Sequence, residues 1–127
     1  MIEFSSIGQL SDRELLAHVH GAVGRERDAT VQLIALLMEL DARRLYLAEG
    51  CASLFAYCTQ VLHLSEHAAY HRIEAARAAR RFPVILERLA DGAVNLTAIG
   101  LLAPLLTPQN HREILDAARH KSKRDIE

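Results

Sequence analysis

Helix start and stop signals recur along this sequence, and they constrain its fold more than any other feature. Ser11 is followed three residues later by Glu14, which is the spacing of a capping box. Ser65 precedes Glu66, so an N-cap residue comes before an acid at the positive end of a helix dipole. Phe82-Pro83 marks a helix end, because the residue before a proline avoids helical backbone angles. These signals predict a series of helices joined by short turns.

The composition agrees with an all-α fold. Alanine and leucine supply 20 residues each of the 127, whereas there are only six glycines, three prolines, three tyrosines and three phenylalanines. Strong helix formers therefore dominate, and 50% hydrophobic residues are enough for one core. We expect a single compact all-α domain over residues 1–127, with six or seven helices.

The longest expected helix runs from Asp12 to about Tyr46. Gly21 and Gly24 weaken its middle, so the segment is either one long kinked helix or two abutting helices. Five further helices are expected over residues 54–62, 66–81, 83–91, from 95 or 97 to 102, and 107–119, and a truncated one starts at 122. The expected core consists of the residues on the apolar stripes of these predicted helices: Leu33, Leu36, Leu37, Leu40, Leu54, Phe55, Cys58, Val61, Leu62, Ile73, Ala76, Ile85, Leu86, Leu89, Leu101, Leu102 and Ile114.

Several locations and partners are disfavoured by the sequence. No apolar run approaches the roughly 18 residues that a membrane-spanning helix needs, and the first residues do not begin a cationic signal peptide. We therefore expect a cytoplasmic protein without a membrane partner. Cys51 and Cys58 are expected to be buried thiols rather than a disulfide.

Charge is unevenly distributed along the chain. Residues 1–66 carry five arginines and nine acids, whereas residues 67–127 carry ten lysines and arginines and seven acids, so the two parts have net charges of -4 and +3. The second part can therefore face an anion. Arginine is also a good bidentate ligand for phosphate and guanine.

Residues 53–81 have the pattern of a helix-turn-helix, with an apolar helix, a short turn and a second helix rich in arginine and histidine. At 100° per residue, Ala68, Ala69, Ile73, Ala75, Ala76 and Ala79 share one side of the second helix. The opposite side carries Glu74 and the five residues that we predict to contact DNA: His67, Tyr70, His71, Arg77 and Arg81. The alternative is an ordinary solvated helix face, and Glu74 in its middle would repel phosphate.

The sequence does not predict a metal site or a cofactor site. His67 and His71 are four residues apart, but no acidic or thiol residue completes a recognised metal-ligand spacing. Glycine patterns that cradle phosphate and a glycine-flanked nucleophilic serine are also missing. We therefore expect no self-contained active site, no cofactor and no small-molecule substrate.

Five strings of this sequence carry a family resemblance: residues 40–46, 54–58, 64–70, 72–83 and 105–111, of which 72–83 is the most specific. They resemble the helical region that precedes the nuclease module in bacterial HNH endonuclease-like proteins. The resemblance implies an accessory helical domain, because those proteins carry catalysis in a separate C-terminal ββα-metal module. Nothing in this chain matches that module, so no catalytic residue is carried over.

Two hypotheses about function follow. The first is an accessory domain that binds double-stranded DNA, and the second is a helical interaction or dimerisation module without a nucleic-acid role. The long expected helix would span roughly 50 Å at 1.5 Å per residue, so its apolar stripe can meet a second copy in a two-fold homodimer. Alternatively, Gly21 and Gly24 fold the segment back into a hairpin that hides the stripe.

Overall fold

The computed structural model describes residues 3–121 and 123–126, and within them all regular secondary structure is helical. Its eight α-helices are α1 (Asp12–Arg43), α2 (Leu45–Ala48), α3 (Leu54–Ala56), α4 (Glu66–Arg81), α5 (Val84–Ala90), α6 (Leu96–Leu102), α7 (His111–Ala117) and α8 (Lys123–Ile126). Two 3-10 helices cover Phe4–Gln9 and Ala103–Leu105, and a π-helical turn covers Tyr57–Val61. The all-α class is confirmed, and the helix count exceeds six or seven because several segments are only a single turn long.

Helix α1 is one continuous helix. The Ser11 hydroxyl accepts a hydrogen bond from the Glu14 N–H at 3.1 Å, and the Glu14 carboxylate accepts one from the Ser11 N–H at 3.0 Å, so the predicted capping box is present. The helix runs through Gly21 and Gly24, which excludes the hairpin alternative. It ends at Arg43, before Tyr46, because Arg44 adopts a left-handed conformation with φ of 52°.

Helix α4 lies at the centre of the domain. It contacts α1, α3, α5 and α6, and it buries Ala69, Ile73, Ala75, Ala76, Ala78 and Ala79. Because alanine side chains are small, four neighbouring elements can approach this one helix closely. The largest fully buried side chains around it include Ile34, Leu37, Leu54, Ile85, Ile99 and Leu115.

Four predicted core residues are exposed, so those predictions are wrong. Leu36 is 64% exposed because it lies 100° around α1 from Leu37, and the buried stripe runs through Ile34 and Leu37 instead. Val61 and Leu62 are exposed because the π-helical turn adds a residue per turn and shifts the face that follows Cys58. Phe55 is 40% exposed, on the side of α3 away from Leu54. The remaining predicted core residues are buried or half-buried.

The turns largely follow the sequence signals. Ser53, Ser65 and Asn95 accept N-capping hydrogen bonds at the starts of α3, α4 and α6. Gly50 forms a left-handed turn with φ of 81°. The helix expected over 107–119 is shorter, because the first residues form a turn before α7 begins at His111. Ser122, the predicted cap of the last helix, lies outside the described residues.

The N-terminal part of α1 extends away from the rest of the domain, and we call residues 12–29 the arm. None of its residues is buried, whereas Ile34 and Leu37 further along the same helix are. Four large apolar side chains of the arm are exposed by 41–62%: Leu15, Leu16, Val19 and Val23. As predicted, the long helix extends beyond the other helices of the domain, which leave the apolar side chains of the arm uncovered.

Candidate nucleic-acid interface

The predicted helix-turn-helix-like pair is present. Helix α3 and the π-helical turn bury Leu54 and Cys58 against α4, and residues 62–65 connect them to that helix. The Ser65 hydroxyl accepts a hydrogen bond from the Ala68 N–H at 3.1 Å and so starts α4. His63 in the connection has a positive φ of 59°, which turns the chain sharply between the two helices.

The two predicted faces of α4 are also present. Ala69, Ile73, Ala75, Ala76 and Ala79 are buried, and Ala68 is half-buried. On the opposite side, His67, Tyr70, Arg77 and Arg81 are exposed, with Glu74 half-buried among them. We call these five residues the α4 strip.

His71 departs from the sequence prediction, because it turns toward α6 instead of solvent. Its ring is half-buried, and a Cβ atom placed on Gly100 of α6 would lie 3.7 Å from His71 Nδ1. That Nδ1 atom is buried and has no hydrogen-bond partner. The ring centroid lies 4.2 Å from that of His67. His71 therefore contributes to packing between α4 and α6 and keeps only part of its surface exposed.

Both arginines of the α4 strip make contacts within the domain. Arg77 Nε lies 3.4 Å from Asp41 Oδ2 of α1, and Arg81 Nη2 donates to the Leu106 carbonyl oxygen at 3.4 Å. The Arg81 guanidinium also lies 4.9 Å from the centroid of the Phe82 ring. Both contacts are 3.4 Å long, the Arg77 side chain is 61% exposed and the Arg81 bond is part-buried, so Arg77 leaves its contact at the lower cost. Local sequence patterns gave no signal of the Asp41 pair, because its members are 36 residues apart.

Tyr70 and Glu74 are coupled. A side-chain hydrogen bond to Glu74, together with the negative charge of that carboxylate, raises the pKa of Tyr70. The phenol donates to the Glu74 carboxylate, so this proton reaches another acceptor only when that hydrogen bond opens. The Glu74 carboxylate nevertheless places a negative charge in the middle of the strip, where it opposes phosphate.

The strip borders a groove of about 570 Å³ between α3, α4 and the Ala103–Leu105 turn. Tyr70, Glu74, Arg77 and Arg81 line it on the α4 side. Its apolar lining comes from Leu54, Phe55, Ile73, Ala78, Ala103 and Pro104. Phe55 is one of the predicted core residues, and no local sequence pattern places Pro104 near the strip. The contacts that bring these two residues to α4 are tertiary.

The cysteines and histidines form no metal centre in the part of the chain that the structure describes, where no group of three or more His, Cys, Asp or Glu side chains is arranged to hold an ion. Cys51 and Cys58 are both free and buried, which confirms the prediction of buried thiols. Burial raises the pKa of the Cys58 thiol, so little of the reactive thiolate forms at neutral pH.

Comparisons with known proteins do not assign this site. No family model matches the chain, and neither the curated proteins nor the solved structures include a significant match. Among residues 3–121 and 123–126, no helix combines the length and the apolarity that crossing a membrane requires.

Proposed function

We propose that this chain is an accessory domain that binds double-stranded DNA and is not catalytic by itself. The observation that supports the proposal is the α4 strip, in which His67, Tyr70, Arg77 and Arg81 share the open side of the second helix of a helix-turn-helix-like pair. All four side chains can donate hydrogen bonds to phosphate or to base edges. The +3 charge of residues 67–127 favours the same partner.

The two ends of the strip suit different contacts. Recognition helices reach base edges mainly through their N-terminal residues, which in α4 are His67 and Tyr70. Arg77 and Arg81 lie further along and can reach phosphates or a guanine after leaving their contacts within the domain. His71, which faces α6, contributes by holding this helix in place.

The proposed context is that of HNH endonuclease-like proteins. The strings of this chain that resemble their helical region include residues 64–70 and 72–83, which form most of α4. In this proposal the domain positions DNA for a nuclease module carried elsewhere.

A fluorescence-anisotropy titration with duplex DNA at two salt concentrations tests this proposal. Affinity should fall steeply as salt rises, because phosphate contacts release counterions. Replacing both Arg77 and Arg81 by Ala should weaken binding by about 1–3 kcal/mol per lost base contact, or flatten the salt dependence if the contacts are to phosphate. Glu74→Gln should strengthen binding, because it removes the charge that opposes phosphate.

A matched control is Arg43→Ala. Arg43 pairs with Glu39 at 2.8 Å on α1 and lies about 200° around that helix from Asp41, which faces α4. Removing this arginine changes the net charge by the same amount per substitution without touching the strip. Unchanged binding by the double arginine variant at low salt would refute the proposed interface, and so would an equal loss on Arg43→Ala.

The second candidate is a helical interaction module without a nucleic-acid role. The exposed Leu16, Val19 and Val23 of the arm favour it, because a row of large apolar side chains on one helix is typical of a surface that another protein covers. Absence of any salt-dependent DNA binding, together with self-association through the arm, would favour this candidate over the first.

A further inference from the structure

The apolar face of the arm is a continuation of the face that α1 buries in the domain. At 100° per residue, Leu16, Val19 and Val23 lie within about 60° of one another, on the same side as Ile34 and Leu37. Ile34 and Leu37 are at most 2% exposed, whereas the three arm residues are 51–62% exposed. The same helix face therefore passes from covered to uncovered where the arm begins.

A second groove, of about 490 Å³, lies where the arm joins the domain, and we call it the root groove. It continues along the same side of α1, through Val23, Thr30 and Ile34. Its other wall belongs to α5, α6 and the turn between them, and it includes Leu89, Val94 and Leu96. Glu26, Arg27 and Arg72 also line the root groove, so the apolar face of the arm continues into a groove whose lining combines apolar and charged side chains.

The N-terminal 3-10 helix supplies apolar side chains of matching chemistry. Phe4 is 87% exposed and Ile7 is 38% exposed. Leu10 and Ser11 are extended and connect this segment to α1. Each copy of the chain thus carries both an uncovered apolar segment and a groove that is lined in part by apolar side chains, at opposite ends of the arm.

We propose that two copies pair their arms antiparallel about the Val19-His20 peptide, with the Phe4–Gln9 segment of each copy in the root groove of the other. In this register Leu16 of one copy lies level with Val23 of the second. Asp12 lies level with Arg27, beyond the two ends of the row of apolar side chains, so two opposite-charge pairs close the contact once each Arg27 guanidinium turns from Gly92 toward the second copy. Continuing past Asp12, the Phe4–Gln9 segment reaches the level of the root groove.

The antiparallel register is favoured over a parallel one. Parallel arms would bring the two Asp12 side chains of the dimer together, and likewise the two Arg27 side chains. Both are contacts between like charges. Parallel arms would also leave Phe4 and both root grooves uncovered. This inference does not depend on DNA binding, because it uses no residue of the α4 strip.

Sedimentation velocity of the full chain tests the pairing. We expect a dimer at about 100 μM, and Leu16→Glu with Val23→Glu should raise the dissociation constant at least about 100-fold. The matched control is Leu36→Glu, since Leu36 is 64% exposed but lies on another side of α1. That variant should remain dimeric. Circular dichroism checks that each variant is folded.

Charge exchange and cross-linking test the register. Asp12→Arg and Arg27→Asp should each weaken the dimer about tenfold, and the combined variant should restore it. Arg25→Asp, about 160° around the helix from Arg27, should have no effect. A mixture of Leu16→Cys and Val23→Cys chains should form the mixed disulfide, and Leu16→Cys alone should not cross-link.

The outcomes that overturn the proposal are distinct. A monomer at about 100 μM excludes self-pairing of the arm at that concentration range. If the variant with both Leu16→Glu and Val23→Glu still dimerises, the dimer contact is formed by a different surface. A disulfide between two Leu16→Cys chains means that the arms are parallel.

Discussion

Two glycine-to-alanine substitutions should change the stability of this domain in opposite directions. Gly100 lies within α6, and an added Cβ would be 3.5 Å from Glu74 Oε1 and 3.7 Å from His71 Nδ1, which are ordinary van der Waals distances. Gly100→Ala therefore has room for its methyl group. It should raise the free energy of unfolding by about 0.5–1 kcal/mol, because alanine loses less backbone entropy than glycine in a helix.

Gly92→Ala should instead lower the free energy of unfolding. The φ of Gly92 is 80°, so the alanine would be strained, and an added Cβ 2.8 Å from Arg27 Nη1 would displace the end of that flexible side chain. The left-handed conformation alone should cost about 1–2 kcal/mol. Gly50→Ala separates the two effects, since Gly50 has φ of 81° with nothing within 4 Å of an added Cβ.

Thermal unfolding followed by circular dichroism measures all three variants. Gly100→Ala should shift the thermal midpoint up by about 2–4 °C, whereas Gly50→Ala and Gly92→Ala should lower it. Gly92→Ala should be at least as damaging as Gly50→Ala. If Gly100→Ala destabilises the domain, the space between α6 and α4 is not as the distances indicate, and a stabilising Gly92→Ala would refute the backbone argument.

Three further predictions concern the core, the first helix and the α4 strip. Ile73→Ala should cost about 2–5 kcal/mol in urea unfolding, because Ile73 is only 6% exposed and its loss leaves a cavity, whereas Arg77→Ala should stay within about 1 kcal/mol. Hydrogen bonds from the Ser11 backbone and side chain lower the pKa of Glu14, so its contribution to stability is present above the unfolded-state pKa and is lost as pH falls through the folded-state pKa. Glu14→Gln should reduce that acid dependence in thermal melts, and an unchanged pH profile would contradict it. The raised pKa of Tyr70 favours its protonated form, so Glu74→Gln should lower that pKa in an ultraviolet titration, and the same titration midpoint in both proteins would argue against their coupling.

Local signals in the sequence predicted most of the helix boundaries. Ser11, Ser53, Ser65 and Asn95 all cap the helices they precede, because an N-cap bond joins a side chain to a backbone group only three residues away. The division of α4 into an alanine face and a polar strip was predictable for the same reason, since both follow from helical periodicity. Features that depend on distant residues were not predictable, including the Arg77–Asp41 pair and the rotation of His71 toward Gly100.

The errors in α1 and after Cys58 have different physical origins. In α1, four leucines between residues 33 and 40 offer several possible stripes, and only packing against α4 and α5 selects the one through Ile34 and Leu37. After Cys58, the π-helical turn breaks the periodicity on which any helical wheel depends. The Thr59 hydroxyl donates to the Phe55 carbonyl oxygen at 3.0 Å in this turn, a side-chain bond that competes with regular helix bonding.

The proposed DNA interface and the proposed arm pairing use separate parts of the molecule, so they can be tested separately and then together. Helix-turn-helix proteins commonly bind as two-fold dimers, in which the distance between the two recognition helices sets the spacing of the DNA half-sites. If both proposals hold, Leu16→Glu with Val23→Glu should weaken binding to a two-half-site duplex although it changes no residue of the α4 strip. Replacing Arg77 and Arg81 by Ala should weaken DNA binding without changing the dimer. Equal DNA affinity of monomeric and dimeric forms would mean that the arm serves a purpose other than presenting two α4 helices to one duplex.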